Sequence, residues 1–227
     1  MNIVCFSGGK DSTAMLLMMI EKGMSVDEIL FCDTGLEFPE MYEHIRQVEK
    51  YIGRKITILK SEKDFKYYMF EHIKIRGKYK GTKGYGWAGP RARWCTRVLK
   101  QDVMKKYKKE KYGNEEILEY IGIAFDELSR VKEDKNLKYP LVEWKITEKQ
   151  ALEYCYNKGF KWNGLYEKFD RVSCWACPLQ PLKSLRVLYK DFPKLWAKLK
   201  EWDNKARRSF KPNFSIEQLE ERFKEEK

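Results

Sequence analysis

The chain has 227 residues, 43% of them hydrophobic, which is enough for one full-sized core and a smaller additional lobe. It carries 46 Lys and Arg against 34 Asp and Glu, and the resulting net charge of +12 favours phosphorylated ligands or nucleic acid as partners. Charged residues interrupt every apolar run before membrane-spanning length, and no secretory signal pattern opens the chain, so we expect a cytoplasmic protein with no membrane partner.

Short apolar runs alternate with helical patterns in the first part of the chain. We expect strands over residues 3–6, 28–33, 55–60 and 116–124, and helices over residues 13–22, 39–51, 64–75 and 96–109. This alternation predicts an α/β fold with a doubly wound, mostly parallel sheet covered by helices on both faces. The last strand of the sheet is expected at residues 116–124 or near Tyr139-Pro140-Leu141. Five glycines among basic and aromatic residues predict a mobile loop over residues 76–90.

The remainder of the chain has mostly helical patterns. Thr147 with Gln150 fits a capping box that opens a helix, and Ser215 with Gln218 fits another. Residues 182–208 also have a mostly helical pattern. We therefore expect an α/β domain over residues 1–146 and a mostly helical C-terminal region over residues 147–227.

A glycine-containing loop joins the first predicted strand to the first predicted helix, with the sequence Ser7-Gly8-Gly9-Lys10-Asp11-Ser12. The carboxyl end of a strand in an α/β sheet is where such folds bind ligands. Gly8 and Gly9 allow the backbone to approach a phosphate closely, and the start of the helix favours an anion. Lys10 would add a positive charge, and Ser7 and Ser12 would add hydroxyl donors. The spacing differs from that of a Walker loop.

This loop resembles the PP-loop fingerprint Ser-Gly-Gly-x-Asp-Ser of ATP pyrophosphatases and of the phosphoadenosine phosphosulfate (PAPS) reductase-like family. Similar segments follow in order: Asp33-Thr34-Gly35 with Glu37 and Pro39, Trp94-Cys95-Thr96 with Lys100, Gly122 to Arg130, Tyr139-Pro140-Leu141 with Trp144, and residues 171–178. The resemblance covers residues 3–180. It implies a PP-loop nucleotide-binding domain that binds ATP or an adenylyl sulfate at residues 7–12, with Asp33, Thr34, Gly122 and Arg130 in the binding site.

Carboxylates near the loop are candidate magnesium ligands. If ATP binds, cleavage between its α and β phosphates would make pyrophosphate the leaving group, a reaction that Mg²⁺ usually supports. Mg²⁺ prefers oxygen ligands and needs only one or two carboxylates. Asp11 is the first candidate, and Asp126 and Glu127 are the next, whereas Asp11 has the alternative role of capping the following helix. We expect Lys10, Asp11, Cys95, Asp126 and Glu127 to act in catalysis.

Basic and aromatic side chains surround the glycine-rich loop. Four basic residues follow it: Arg91, Arg93, Arg97 and Lys100. They could clamp a phosphate, a sulfate or a nucleic-acid backbone, or form an ordinary basic surface. Tyr79, Tyr85 and Trp87 could stack on bases or pack back onto the domain.

Three cysteines are spaced as metal ligands. Cys174 and Cys177 form a Cys-x-x-Cys pair, and Cys95 would be a third soft ligand. This set fits a 4Fe-4S cluster with one iron left for an exogenous ligand, as in some sulfur-transferring PP-loop enzymes. Zinc with a fourth ligand from His44 or His72, a redox dithiol and inert thiols are the alternatives. Cys5, Cys32 and Cys155 have apolar neighbours in sequence and are expected to be buried thiols.

The residues after Cys177 depart from the reductase pattern. Thioredoxin-dependent PAPS reductases carry a nucleophilic cysteine in a Glu-Cys-Gly-x-His setting near the C-terminus, and no cysteine follows Cys177 in this sequence. We therefore expect an enzyme that adenylates an acceptor, releases pyrophosphate and takes part in sulfur transfer. The acceptor would be a nucleic acid or a small molecule, and the partner a sulfur donor or a thiol reductant protein. The alternatives are a sulfonucleotide reductase with altered thiols, in which Cys95 or the Cys174–Cys177 pair attacks, and a nucleotide- or nucleic-acid-binding protein without turnover.

Overall fold

The computed structural model describes residues 1–90 and 92–226. Five strands form one parallel sheet in the order β3-β2-β1-β4-β5. The strands are β1 (Asn2–Cys5), β2 (Glu28–Asp33), β3 (Thr57–Lys60), β4 (Leu118–Ile121) and β5 (Leu137–Lys138).

Helices follow and connect the strands. They are α1 (Lys10–Glu21), α2 (Pro39–Ile52), α3 (Phe65–Phe70), α4 (Trp94–Thr96), α5 (Asp102–Tyr112), α6 (Pro140–Glu143), α7 (Glu148–Asn157), α8 (Leu165–Lys168), α9 (Leu182–Asp191), α10 (Pro193–Lys205) and α11 (Ile216–Glu225). A π-helical turn over Arg97–Gln101 joins α4 to α5, and 3₁₀ turns cover Phe125–Arg130 and Trp162–Gly164.

Helices cover both faces of the sheet. Leu30 and Cys32 of β2 lie in a core cluster with Val103 and Tyr107 of α5. Successive side chains of a strand point to opposite faces, and Phe31 contacts Tyr42 of α2 with ring centroids 6.5 Å apart. A central strand that is buried on both faces is apolar without alternation, as β2 is. The predicted doubly wound α/β fold is confirmed.

The elements differ from the sequence predictions mainly at their ends. The helix predicted over residues 64–75 ends at Phe70, because the N–H groups of Glu71 and His72 both donate to the Tyr67 carbonyl and the chain then turns away. Both predicted capping boxes are present, at Thr147 and at Ser215. The C-terminal part is helical, as expected.

Contacts between Cα atoms divide the chain into two compact units. Unit 1 consists of Met1–Asp33, Phe38–Lys60 and Val103–Tyr166, and it contains the sheet. Unit 2 consists of Thr34–Glu37, Ser61–Asp102 and the chain from Glu167 onward. The predicted domain boundary between residues 146 and 147 stays a prediction.

Within residues 1–90 and 92–226, none of the helices combines the length and the apolar character that crossing a membrane requires.

Candidate functional site

The Ser7–Ser12 loop of unit 1 is closed by hydrogen bonds between its own residues. The Ser12 hydroxyl donates to the Gly9 carbonyl at 3.0 Å, and it accepts from the Ser7 backbone N–H at 3.2 Å. The two serine hydroxyls are themselves 3.0 Å apart. Helix α1 begins directly after Gly9, and the Lys10 backbone N–H donates to the Tyr166 hydroxyl at 2.9 Å. The loop is therefore a preformed turn at the N-terminus of a buried helix, where an anion is favoured.

Two glycines allow the backbone of this region to pack closely. Gly8 has φ +77°, and a Cβ atom there would lie 2.6 Å from the Met41 sulfur. A Cβ atom at Gly122, just after β4, would lie 2.7 Å from the backbone of Ser12. Only glycine avoids both the left-handed strain at residue 8 and the backbone clash at residue 122.

A tryptophan that the sequence analysis did not single out supports the loop. The indole N–H of Trp162 donates to the Gly8 carbonyl at 2.8 Å, and its ring stacks on His44 with centroids 4.2 Å apart. His44 in turn lies 2.9 Å from the Thr13 hydroxyl through its Nε2. Trp162 is only 1% exposed and has φ +46°, a strained value for a bulky residue that the surrounding packing must maintain.

Three carboxylates converge beside the loop. Ligand oxygens of Asp11, Glu127 and Glu148 all lie within 4.8 Å of one another. Burial raises the pKa of the Asp11 carboxyl above its ordinary value, and the charges of Glu148 and Glu127 add to that rise, whereas Lys10 opposes it. A cation would relieve the repulsion between these groups, and oxygen ligands of this kind suit Mg²⁺.

Lys10 lies among these carboxylates. Its ammonium group is 2.8 Å from Asp11 Oδ1 and 2.6 Å from Glu148 Oε1, and the residue is only 5% exposed. The structure therefore pairs Lys10 with the carboxylate cluster. Glu148 did not stand out in the sequence, because an acidic first residue of a helix after a Thr cap is an ordinary pattern.

The other predicted residues of unit 1 have supporting contacts. Asp126 accepts the Glu148 backbone N–H at 2.9 Å and so positions the start of α7, while Glu127, not Asp126, lies in the carboxylate cluster. Arg130 pairs with Glu127. At the end of β2, Asp33 accepts a hydrogen bond from the Tyr42 hydroxyl at 2.7 Å.

Unit 2 contains the three cysteines singled out in the sequence. Burial raises the pKa of Cys95 above its ordinary value, and the nearby Cys177 adds to the rise. Burial also raises the pKa of Cys174 to about 12, with Glu37 and then Cys177 adding to the rise and Lys100 opposing it. Cys177 therefore lies near enough to both Cys95 and Cys174 to affect their ionisation, and those two thiols resist ionisation unless a cation stabilises the thiolates.

The spacing of these sulfur atoms bears on which metal they suit. Within the described part of the chain, the three cysteines do not form a group with all ligand atoms within 4.8 Å. Two thiolates on a tetrahedral zinc would lie about 3.8 Å apart, since each Zn–S bond is about 2.3 Å long. In a cubane cluster each thiolate binds a different iron, which requires a wider separation. At least one pair of these sulfur atoms is therefore farther apart than two thiolates on one zinc ion would be.

The side chains of Thr34 and Glu37 lie beside Cys174 of the Cys-x-x-Cys pair. The Thr34 hydroxyl donates to the Glu37 carboxylate at 2.9 Å, and both side chains lie 3.9 Å from the Cys174 sulfur. The Lys100 ammonium lies 3.8 Å from Glu37. The structure therefore places Thr34, which the resemblance assigned to nucleotide binding, against a cysteine sulfur.

Polar side chains fix the backbone around the Cys-x-x-Cys turn. The Gln180 amide donates to the carbonyls of Cys174 and Trp175, at 2.8 and 3.0 Å. The Lys211 ammonium donates to the carbonyls of Pro178 and Gln180. Burial lowers the pKa of Lys211, and the charge of Cys177 opposes that shift. Lys211 is a second residue that the sequence analysis missed.

The residues of the predicted basic clamp and the predicted stacking aromatics differ in their exposure to solvent. Arg93 and Arg97 are exposed, and Arg91 lies outside the described residues. Trp87 is buried and donates to Asp203 at 2.9 Å, and Tyr85 stacks on Trp94, so both pack into unit 2. Tyr79 is 52% exposed.

Comparison with known families gives one match that covers most of the chain. The model of the phosphoadenosine phosphosulfate reductase domain matches residues 1–180. Among curated proteins, the uncharacterized protein MJ0066 of Methanocaldococcus jannaschii is 30% identical over 220 residues, covering 90% of this chain and 41% of the relative. An uncharacterized nin region protein, ORF290 of Escherichia phage lambda, is 28% identical over 166 residues, covering 66% of this chain and 57% of the relative. This chain thus spans about half the length of such relatives.

A solved structure of a reductase shows the same fold at low sequence identity. A phosphoadenylyl-sulfate reductase from Candida auris, in complex with phosphate, has a TM-score of 0.52 and 18% identity, covering 77% of this chain and 82% of that chain. The U34-tRNA thiolase NcsA from Methanococcus maripaludis, solved with its [4Fe-4S] cluster, has a TM-score of 0.44 and 14% identity, covering 89% of this chain and 70% of that chain.

Replacing Gly8 by alanine should destabilise the protein more than replacing Gly9. Gly8→Ala combines a left-handed φ of +77° with a Cβ 2.6 Å from the Met41 sulfur, whereas Gly9 has φ −75° and its nearest neighbour would be 3.3 Å away. We expect Gly8→Ala to lower the free energy of unfolding by about 1–3 kcal/mol, measured by urea titration. Equal losses in the two variants would contradict this account of the loop.

His44 should make the protein sensitive to acid. Burial lowers the pKa of His44 to about 3, so below pH 6.5 the unfolded chain binds a proton that the folded chain does not. Stability should therefore fall as the pH drops from 6.5 towards 3, by up to about 1.4 kcal/mol per pH unit from this group. His44→Gln should reduce that slope in urea titrations between pH 6.5 and 4.5. An unchanged slope in the variant would show that His44 is not the group responsible.

Proposed function

This chain belongs to the phosphoadenosine phosphosulfate reductase domain family, and on that premise we propose that it adenylates an acceptor with ATP for sulfur transfer. The observation that carries the proposal is the carboxylate cluster of Asp11, Glu127 and Glu148 beside the PP-loop. A loop that binds phosphates next to clustered oxygen ligands is the arrangement that a magnesium–nucleotide complex needs.

The residues of unit 1 support binding of ATP phosphates. Gly8 and Gly122 permit close backbone packing at the N-terminus of α1, where the helix dipole favours an anion. Asp11, Glu127 and Glu148 would hold Mg²⁺, which would neutralise phosphate charge. Lys10 already contacts two of these carboxylates, so cation binding there would release its ammonium group for a phosphate.

The proposed reaction breaks the bond between the α phosphorus of ATP and its pyrophosphate. An acceptor oxygen forms a new bond to the α phosphorus, and pyrophosphate leaves. A hydrosulfide nucleophile then displaces AMP, so the acceptor oxygen departs with AMP and sulfur takes its place. No electrons are exchanged in either step. The chain's contribution is to bind the phosphates and hold the charges that the first step requires.

The cysteine site of unit 2 supports the sulfur half of the proposal. Cys95, Cys174 and Cys177 would hold a 4Fe-4S cluster, for which three soft ligands are suited. Such a cluster would supply one iron with a position open to an exogenous ligand. Thr34 and Glu37, which contact Cys174, would orient that side chain, and Lys211 would hold the turn that carries Cys177.

Reduction of a sulfonucleotide is less well supported by these thiols. The nucleophile of such a reaction is a thiolate, and burial raises the pKa of both Cys95 and Cys174. Release of sulfite from an adenylyl sulfate by the purified protein would nevertheless favour reduction over adenylation.

Removing a carboxylate from the cluster should weaken binding of magnesium–ATP. We expect Asp11→Asn and Glu148→Gln each to lower the affinity by about tenfold or more, measured by isothermal titration calorimetry with and without Mg²⁺. Glu153→Gln is the matched control, because Glu153 is an exposed residue of the same helix as Glu148. Turnover of α-labelled ATP should yield AMP and pyrophosphate. Formation of ADP, or no ATP binding by the unaltered protein, would overturn the proposal.

Iron content should depend on the three cysteines of unit 2. Protein purified without oxygen should contain about four iron and four sulfide per chain, measured by chemical assay and visible absorption. Cys95→Ser and Cys177→Ser should each lose most of both, whereas Cys5→Ala should retain them, because Cys5 lies in β1 of the other compact unit. Stoichiometric zinc in place of iron would contradict the assignment.

A further inference from the structure

A long segment of unit 2 carries positive charge without any negative charge. Residues 72–101 contain nine Lys and Arg and no Asp or Glu, against a net charge of +12 for the whole chain. Most of the excess charge is therefore concentrated in 30 consecutive residues and is not spread over solvated helix faces. The last part of the segment contains the short helix α4, which includes Cys95, and the π-helical turn that follows.

The first part of this segment forms a hairpin-like projection, which we call the basic hairpin and define as residues 73–83. Ile73 pairs with Lys83 in an antiparallel bridge, and the Lys74 N–H donates to the Thr82 carbonyl at 3.0 Å. The base is fixed at Gly84, where a Cβ atom would lie 2.3 Å from the Met69 carbonyl oxygen. The basic hairpin is thus anchored at a close backbone contact while its tip carries exposed side chains.

Exposed apolar side chains lie among the positive charges of the basic hairpin. Ile73, Ile75 and Tyr79 are 55%, 69% and 52% exposed. The ammonium groups of Lys74 and Lys78 lie 5.4 and 6.0 Å from the centre of the Tyr79 ring. An exposed aromatic ring flanked by cations offers a stacking face for a base and charges for the adjacent phosphates.

Two arginines after α10 extend this surface. Arg207 and Arg208 are exposed, and both lie near enough to Lys74 to act on its ionisation. Burial lowers the pKa of Lys74, and the charges of the two arginines lower it further. Like charges held this close repel each other, and a polyanion that binds there would relieve the repulsion.

We propose that the basic hairpin binds single-stranded nucleic acid, with Tyr79 stacking on a base. Exposed aromatic and aliphatic side chains favour a single strand, since the bases of a duplex are stacked on one another and unavailable. Binding does not depend on the proposed adenylation. Only the further step, that the bound strand carries the acceptor group for sulfur, rests on the proposed function.

The proposal is tested by fluorescence anisotropy with labelled 20-nucleotide RNA and DNA strands, using the full chain without ATP at several KCl concentrations. Arg76→Gln/Lys80→Gln removes two exposed charges from the basic hairpin, and Lys105→Gln/Lys109→Gln removes two exposed charges from α5 as the matched control. We expect the slope of log affinity against log salt to fall by about 1.4 in the hairpin variant, which is about 0.7 for each lost phosphate contact. The control slope should not change. Comparison of the RNA and DNA arms identifies the preferred strand.

A second pair of variants tests base stacking. Tyr79→Ala should weaken binding by about fivefold or more, whereas Tyr79→Phe should bind as the unaltered protein does. Each variant should keep its circular dichroism spectrum and its affinity for magnesium–ATP, because the changes lie outside unit 1. A variant that loses strand binding but still binds magnesium–ATP shows a defect of this surface alone. Loss of magnesium–ATP binding would instead concern the proposed function.

Several results would overturn the proposal. Equal losses of affinity in the hairpin and α5 variants would show that the overall charge, rather than this surface, attracts the strand. Competition by polyglutamate at equal charge concentration would indicate an acidic polypeptide as the partner. Stronger binding to phosphatidylglycerol vesicles than to either strand would indicate a lipid surface, with the two isoleucines as the inserted groups.

Discussion

The close approach of the Gly122 backbone to Ser12 is the constraint on which the arrangement of unit 1 depends. It brings the end of β4 against the first turn of α1, with room for no side chain between them. The chain continues from Gly122 into the 3₁₀ turn that carries Glu127, so the contact also delivers a carboxylate to Asp11. One backbone contact thus helps to position the Ser7–Ser12 turn and two of the candidate metal ligands, Asp11 and Glu127.

The charges in this site connect its two proposed roles, which are to bind a metal ion and to bind phosphate. Burying several carboxylates together is unfavourable unless cations accompany them, and Lys10 provides that compensation with an ammonium group that contacts Asp11 and Glu148. Under the proposed function, a divalent cation would compete for the same oxygens. Binding of the metal and a change of partner for Lys10 are then coupled, since the two cations share ligands.

Unit 2 combines soft ligands with a positive surface. Cys95 lies within residues 72–101, the segment without Asp or Glu, so the same stretch of chain supplies both a candidate cluster ligand and the basic hairpin. Under the two proposals, the buried thiols of Cys95 and Cys174, whose pKa values are raised, would bind a cation. The exposed lysines and arginines would bind a separate, anionic ligand.

Features that depend on residues close together in the chain could be predicted from the sequence alone. The strand–loop–helix order and the two capping boxes follow from neighbouring residues, because turn, cap and strand preferences act over a few positions. The family resemblance instead rests on the PP-loop residues and on the similar segments that follow them in order. Only the tertiary structure brought Glu148 to Lys10 and Trp162 to Gly8, contacts that join residues 138 and 154 positions apart. No local pattern marks such residues, since an acidic first residue of a helix and a buried tryptophan occur in many settings. Their roles depend on packing between segments that are distant in sequence, and only the folded unit brings those segments into contact.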